Sequence, residues 1–318
     1  MKKPVLATAL LAALLAVSAL AAGPAAAPIA PVAPATPEAA TAGSLAPFLW
    51  FVQGPKARHA LLGSVHLLPA SAHPLPAALG AAYDASKALV LETDLDALSD
   101  PELQNRMLSA ARDDRRGGLK SRIGPALYAR LQKRAGALGM PLPACEDLRG
   151  WFCALTLELY PLQQAQFSAE FGLDQFFYAR AQEDGKPVEG LETAVQQTAL
   201  FTDIGDALSS QMVSEALDEH AYASQTPEEF LRIWREGDAA TMEKMMKDMK
   251  RRYPKLYERL LASRNRAWLP QLVEKFNGDA PVLVVVGAGH LVGPEGLVAA
   301  LKSKGFAVTA APAAAPSP

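Results

Sequence analysis

Cysteine and histidine are scarce here, two and five in 318 residues. Neither Cys145 nor Cys153 lies in a CxxC or beside a histidine, which argues against a zinc-thiolate site and a cysteine nucleophile. Ser64 lacks the G-x-S-x-G elbow of a serine hydrolase. No helical HExxH occurs. A dinucleotide fingerprint fails at its third glycine, where Val292 stands, and the closing strand Phe306-Ala307-Val308-Thr309 carries no acidic residue for a ribose. Charge of one sign is also lacking. The formal net charge is −2, and leaving out Lys2 and Lys3 makes it −4, so nothing suggests nucleic acid or an anionic membrane as partner.

Long apolar runs are missing except at the start. Lys2 and Lys3 precede an apolar stretch from Val5 to Val17, shorter than the roughly 20 residues of a membrane span, and Ala19-Leu20-Ala21 offers a small-x-small cleavage site. Residues 1–22 therefore read as a secretory signal peptide, with an uncleaved anchor as the alternative. No cysteine nearby supports a lipid anchor. A periplasmic or secreted location follows, with no transmembrane segment in the mature chain. Residues 23–46 are almost wholly Ala, Pro, Gly, Thr and Ser and read as a flexible linker, the tail 310–318 likewise. The folded domain is expected over 47–309. In an exported protein Cys145 and Cys153 read equally as a disulfide or as two small buried thiols.

What is present is a recurring construction, an apolar strand that runs into glycine and delivers a histidine. Ala60 to Val65 passes through Gly63 and ends at His66. Pro281 to Val286 passes through Gly287-Ala288-Gly289 and ends at His290. Ala88-Leu89-Val90-Leu91 is a third buried-type strand, stopping at Glu92-Thr93-Asp94. Phe48 to Gln53 pairs with the first of these across Gly54-Pro55. Between these strands the pattern is helical, with helices expected over Leu75 to Ser86, Gly124 to Leu138, Leu148 to Leu162 and Gly172 to Ala181. Further helices are expected over Thr193 to Phe201, along a long polar region from Asp206 to Met249, and over Tyr257 to Leu272. The end reads as a β-α-β unit. Together these predict an α/β fold with a central mixed sheet and an inserted helical region.

In open α/β sheets, ligand sites gather at the carboxyl ends of strands. His66, Glu92 and His290 each sit at such an end, and if the strands are neighbours two imidazoles and a carboxylate converge. That set suits a divalent transition metal, which would polarise a carbonyl and activate water for hydrolysis. His73, in a Pro-rich loop past His66, is a reserve ligand. His59 and His220 have weaker contexts. Ordinary loop histidines packed on glycine turns are the bland alternative.

Leu62-Gly63-Ser64-Val65-His66, Leu91-Glu92-Thr93-Asp94, Gly172-Leu173-Asp174, Gly190-Leu191-Glu192-Thr193, Arg264-Asn265 and Gly287-Ala288-Gly289-His290 occur in one order along the chain. In this the sequence resembles the TraB/PrgY/GumN family, which includes the Tiki-type metalloproteases. The resemblance implies a fold similar to the erythromycin-esterase and ChaN-like proteins and, from the Tiki-type members, a manganese- or cobalt-dependent peptidase. By motif match it gives His66 and His290 the metal-site roles, Glu92 a catalytic or liganding carboxylate, and Glu192 and Arg264 supporting places in the site. The expectation is an exported metal-dependent hydrolase, a peptidase or amidase, using Mn²⁺, Co²⁺ or Zn²⁺. Glu92 or Glu192 would be the base, and Arg264 would orient an anionic group of a peptide or other small substrate. The alternative is a non-catalytic periplasmic binding or regulatory protein using the same cleft.

Overall fold

The computed structural model describes residues 48–113, 116–218 and 226–312. The signal peptide, the linker, His220 and most of the expected tail lie outside the described residues. Among the described residues the strands are β1 Leu49–Gln53, β2 Arg58–Ser64, β3 Leu68–Pro69, β4 Ala88–Thr93, β5 Phe167–Ser168, β6 Val188–Glu192, β7 Val282–Gly287 and β8 Ala307–Ala310. Six form one mixed sheet in the order β6-β4-β7-β2-β1-β8, and β3 pairs with β5 in a small antiparallel ribbon. The four strands β6, β4, β7 and β2 run parallel, while β1 is antiparallel to both β2 and β8. The carboxyl ends of the four parallel strands therefore share one edge of the sheet. The closing β-α-β unit is wider than a nearest-neighbour crossover, since β2 and β1 stand between β7 and β8.

The continuous apolar runs are explained by helices on both faces. Leu61, Val90, Val284 and Val286 point into one core with Trp268, Leu272 and Phe276, whereas their chain neighbours Leu62, Leu89, Leu91, Leu283 and Val285 belong to the other. The period-2 alternation of a strand divides one apolar run between two layers.

The helices start and stop where local chemistry directs. In chain order the first are α1 Ala77–Asp84, α2 Leu95–Leu98, α3 Pro101–Ala111, α4 Gly118–Ile123 and α5 Pro125–Leu138. Asp100 caps α3 by accepting from Glu102 N, with Pro101 in the first turn, and Gly139 ends α5 at φ +68°. Then come α6 Pro143–Glu146, α7 Gly150–Gln164, α8 Leu173–Glu183 and α9 Ala194–Thr202, the last opened by a reciprocal capping box between Thr193 and Gln196. Cys145 in α6 and Cys153 in α7 form a disulfide, and both are fully buried.

The region expected as one long polar helical stretch is divided into α10 Asp206–Ala216, α11 Pro227–Arg235 and α12 Ala239–Arg252. Thr226 caps α11 by accepting from Glu229 N, and Asp238 caps α12 through Thr241 N. Met242, Met245, Met246 and Met249 make a buried stripe on α12, which leaves the basic residues of that stretch on its outer face. After α13 Pro254–Tyr257 the chain makes a π-helical turn, Glu258–Ala262, before α14 Ser263–Asn277, so the expected single helix from Tyr257 carries a register change just ahead of Arg264. Helix α15, Leu297–Ser303, leads into β8. No helix among the described residues is long and apolar enough to cross a membrane.

Candidate active site

Two glycines bring the strand ends together. A Cβ on Gly63 would lie 2.9 Å from Phe48 Cβ and 3.0 Å from Ala288 Cα, so only glycine lets the turn before His66 approach the turn before His290. A Cβ on Gly172 would lie 2.1 Å from the His66 carbonyl oxygen. This close approach seats the start of α8 against His66, with Leu173 N donating to Val65 O at 3.2 Å.

Asp174, in the first turn of α8, thereby reaches His66. Its Oδ2 stands 2.8 Å from His66 Nδ1, and its Oδ1 accepts from Ser64 Oγ at 3.1 Å. The carboxylate oxygen accepts, so His66 Nδ1 carries hydrogen. The second histidine is built the same way. Asn265 Nδ2 donates to the backbone oxygens of His290 and Glu295, at 3.2 and 2.9 Å, which turns its Oδ1 toward His290 Nδ1 at 2.6 Å. His290 is therefore also the Nδ1-protonated tautomer, with Nε2 as its base nitrogen.

Glu92, near the end of β4, accepts from Gly287 N at 2.7 Å through Oε1, and from Arg264 Nη2 at 2.5 Å and Gln197 Nε2 at 3.1 Å through Oε2. Its Oε1 lies 3.8 Å from His290 Nε2. Glu192, at the end of β6, takes Arg264 Nη2 on Oε1 at 2.7 Å and Nε on both oxygens at 3.2 Å. Arg264 also donates through Nη1 to Leu260 O at 3.1 Å and to His290 Nε2 at 3.0 Å. Its guanidinium carbon sits 4.5 Å from the Trp268 ring centroid, and that ring lies 4.6 Å from the His290 ring. Every nitrogen of Arg264 thus donates to a protein acceptor, and the expected role of holding an anionic substrate group finds no spare donor in this geometry.

The site is closed. Glu192, at 10%, is more exposed than Arg264 at 4%, Glu92 at 3%, His66 at 3% and His290, which is fully buried. Burial pushes the Glu92 carboxyl up, but the Arg264 charge, helped by His290, His66 and the Gly287 N–H, overcomes it and holds the group at about 2. Burial and then the Arg264 charge lower His290 to about 3, against the pull of Glu92, so its ring is neutral. For Glu192 burial wins over Arg264 and the carboxyl is raised. The guanidinium is itself raised, its two carboxylates outweighing desolvation.

The structure brings His66, Glu92, Glu192, Arg264 and His290 to one edge of the sheet. It does not bring His73 there. That ring lies tilted against Phe171 and Phe176, with Nε2 2.9 Å from Phe171 O, and serves the packing of the loop. His59 is buried at the opposite end of β2 against Phe276, burial lowering its pKa. Sequence reasoning assigned no role to Asp174, Asn265 or Gln197. The first two stand inside the family-like motifs Gly172-Leu173-Asp174 and Arg264-Asn265, which is their one signal.

A divalent ion is tested by the donor set. Both imidazoles have Nδ1 tied to a side-chain oxygen, the arrangement that orients histidine ligands. The 3.8 Å between Glu92 Oε1 and His290 Nε2 is within reach of one ion with bonds of about 2 Å to each. Thr93 Oγ1 and Gln197 Oε1, on elements that meet at the site, are buried without a hydrogen-bond partner among the described residues. The residues fit such an ion by chemistry. Even so, no group of three or more His, Cys, Asp or Glu among the described residues stands arranged to hold one. Arg264 engages both carboxylates and one imidazole.

The model of the TraB/PrgY/gumN family matches residues 48–310. An uncharacterized protein, YbaP, of Shigella flexneri is 25% identical over 240 residues, covering 75% of this chain and 86% of that protein. The YbaP protein of Escherichia coli K12 is 25% identical over 233 residues, covering 73% and 83%. No solved structure matches the chain. With its whole parallel sheet and both Gly-x-x-His turns inside the matched span, the chain belongs to the TraB/PrgY/gumN family.

Proposed function

We propose that the protein is an exported metal-dependent hydrolase acting on a peptide or amide bond, with His66 Nε2, His290 Nε2 and Glu92 Oε1 as the groups that hold the ion. The observation that carries this reading is the matched pair of imidazoles, each with Nδ1 tied down, by Asp174 at 2.8 Å and by Asn265 at 2.6 Å. With Nδ1 tied down, Nε2 is the base nitrogen of each ring, the form in which a histidine ligates a metal. Bound there, Mn²⁺, Co²⁺ or Zn²⁺ would supply Lewis-acid polarisation of a carbonyl and activation of water near neutral pH. The likeness to the erythromycin-esterase and ChaN-like folds belongs to the same proposal and rests on the motif order and the mixed sheet.

The chain's own groups divide the remaining work. Arg264 keeps Glu92 ionised, so that carboxylate stays an acceptor and a ligand and makes a poor base. Glu192 is the base of this reading. Its Oε2 has the looser tie to Arg264, 3.2 Å from Nε against 2.7 Å from Nη2 to Oε1, and its side chain is the more exposed of the two carboxylates. Glu192 Oε2 would take a proton from the attacking water and return it to the leaving amine nitrogen. The burial of the five residues excludes bulk water and strengthens each electrostatic contact. Export is supported by Lys2 and Lys3 ahead of the apolar stretch, and by the Cys145–Cys153 disulfide, which suits an oxidising compartment.

A second reading, a non-catalytic periplasmic binding or regulatory protein, draws on the same closure of the site. Turnover separates them. The mature domain incubated with a mixed peptide library and Mn²⁺, Co²⁺ or Zn²⁺ is expected to give new amino termini by mass spectrometry, lost in Glu192→Gln. Metal binding without any cleavage would favour the binding protein.

A further inference from the structure

His290 Nε2 has a single in-plane lone pair, and Arg264 Nη1 already donates into it at 3.0 Å. Its tautomer cannot change to make room, because Asn265 Oδ1 accepts from Nδ1 while the Asn265 amide is held by two backbone oxygens. One lone pair cannot serve a guanidinium hydrogen and a metal ion together. From this we infer that Arg264 is an internal competitor of the ion, a built-in cation that fills the charge and the His290 lone pair of the metal-free site and must withdraw Nη1 before an ion can bind. The inference rests on the metal reading of the site.

That withdrawal is a swing of the whole guanidinium, because its three nitrogens move as one planar group. Nε and Nη2 are both gripped by Glu192, and the planar group lies near Trp268. Nη1 is held otherwise by Leu260 O, within the π-helical turn Glu258–Ala262. Giving up the His290 contact therefore also disturbs the bonds to Leu260 O and Glu92 Oε2, and Glu192 is the anchor about which the group turns. The same competition explains why two well-oriented imidazoles and two carboxylates meet without forming a ready metal cluster among the described residues. It also gives the buried carboxylates a counter-charge whenever no metal is present, which an empty site with this donor set would lack. Tight binding is given up in exchange for a stable metal-free fold, and weakly competing ions are kept out.

The test compares wild type with Arg264→Lys and Arg264→Gln by titration with Co²⁺ alone, followed by calorimetry and by the visible absorption of the bound ion. Lysine keeps the positive charge but lacks the fork that reaches His290 Nε2 while gripping Glu192. Glutamine removes the charge as well. The expected result is that Arg264→Lys binds Co²⁺ about tenfold or more tighter than wild type, with Arg264→Gln tighter again. Should the Gln variant fail to fold, the Lys variant retains a counter-charge for both carboxylates and decides the matter. Equal or weaker binding in Arg264→Lys would overturn the competition while leaving the metal reading intact. A gain in Arg264→Gln alone would also overturn it, since charge would then be the whole effect. If wild type fails to bind and Arg264→Lys binds, the competition stands and metal dependence of the native protein falls. No binding in any of the three ends both.

Discussion

Asp174 Oδ2 stands 2.8 Å from His66 Nδ1 across 108 residues of chain. The contact exists because Gly172 lets the start of α8 lie against the His66 backbone. Its Oδ1 is committed to Ser64 Oγ. Asparagine at 174 would have one acceptor oxygen to share between Ser64 and His66, and its amide could turn a donor toward the ring. Asp174→Asn is expected to weaken metal binding about 10- to 100-fold, as loss of such supporting contacts does elsewhere. Calorimetric titration with Mn²⁺ checks it. An unchanged affinity would remove Asp174 from the account.

Glu92 is buried with Arg264 and also accepts from Gly287 N. Glu92→Ala leaves the guanidinium with Glu192 as its remaining carboxylate and the Gly287 N–H without its acceptor. Breaking a buried pair in this way costs about 3 kcal/mol. Urea unfolding should read that loss, and a change below about 1 kcal/mol would mean that the pair contributes little to the fold.

Glu158 on α7 has its Oε2 buried without a hydrogen-bond partner among the described residues, and it faces Glu215 of α10. Burial, then the Glu215 charge and hydrogen bond, raise the Glu158 carboxyl well above 4.5. The folded state therefore keeps this proton at pH values where the unfolded chain has released it. Its stabilising contribution is fully present below the unfolded value and is lost as pH rises through the folded one. Glu158→Gln should melt higher than wild type at pH 8 and close to it at pH 4. A melting curve that responds to pH equally in both proteins would contradict the assignment.

Cys145 and Cys153 lie eight positions apart and close a short loop between α6 and α7. A loop of that length is worth about 2–3 kcal/mol in the chain-entropy account. Reduction, or Cys153→Ser, is expected to lower the midpoint of urea unfolding accordingly without abolishing metal binding, because neither cysteine touches the site. Loss of metal binding on reduction would show a coupling that this geometry does not contain.

Much of the sheet could be read from the chain because β2, β4 and β7 are apolar runs with glycine or a carboxylate at the end, and such signals are local. His66, Glu92 and His290 were legible for the same reason. Glu192 and Arg264 were not, since one ends a short exposed edge strand and the other sits on an amphipathic helix. Only the motif order of a family marked them. Asp174, Asn265 and Gln197 carry no local sign of their roles at all. A first-turn aspartate looks like helix capping until the order β6-β4-β7-β2 sets it beneath a histidine. The π-helical turn before Arg264 was equally hidden, because Glu258 to Ala262 reads as ordinary helix.

The central claim is that His66 and His290 hold one divalent ion. Titrating the wild-type mature domain with Mn²⁺, Co²⁺ and Zn²⁺, beside His66→Ala and His290→Ala whose folding is checked by circular dichroism, tests it most directly. The account predicts one ion per wild-type chain for at least one of these metals, and its loss in each folded variant. Wild-type protein that takes up none of the three, or variants that bind as wild type does, would contradict it.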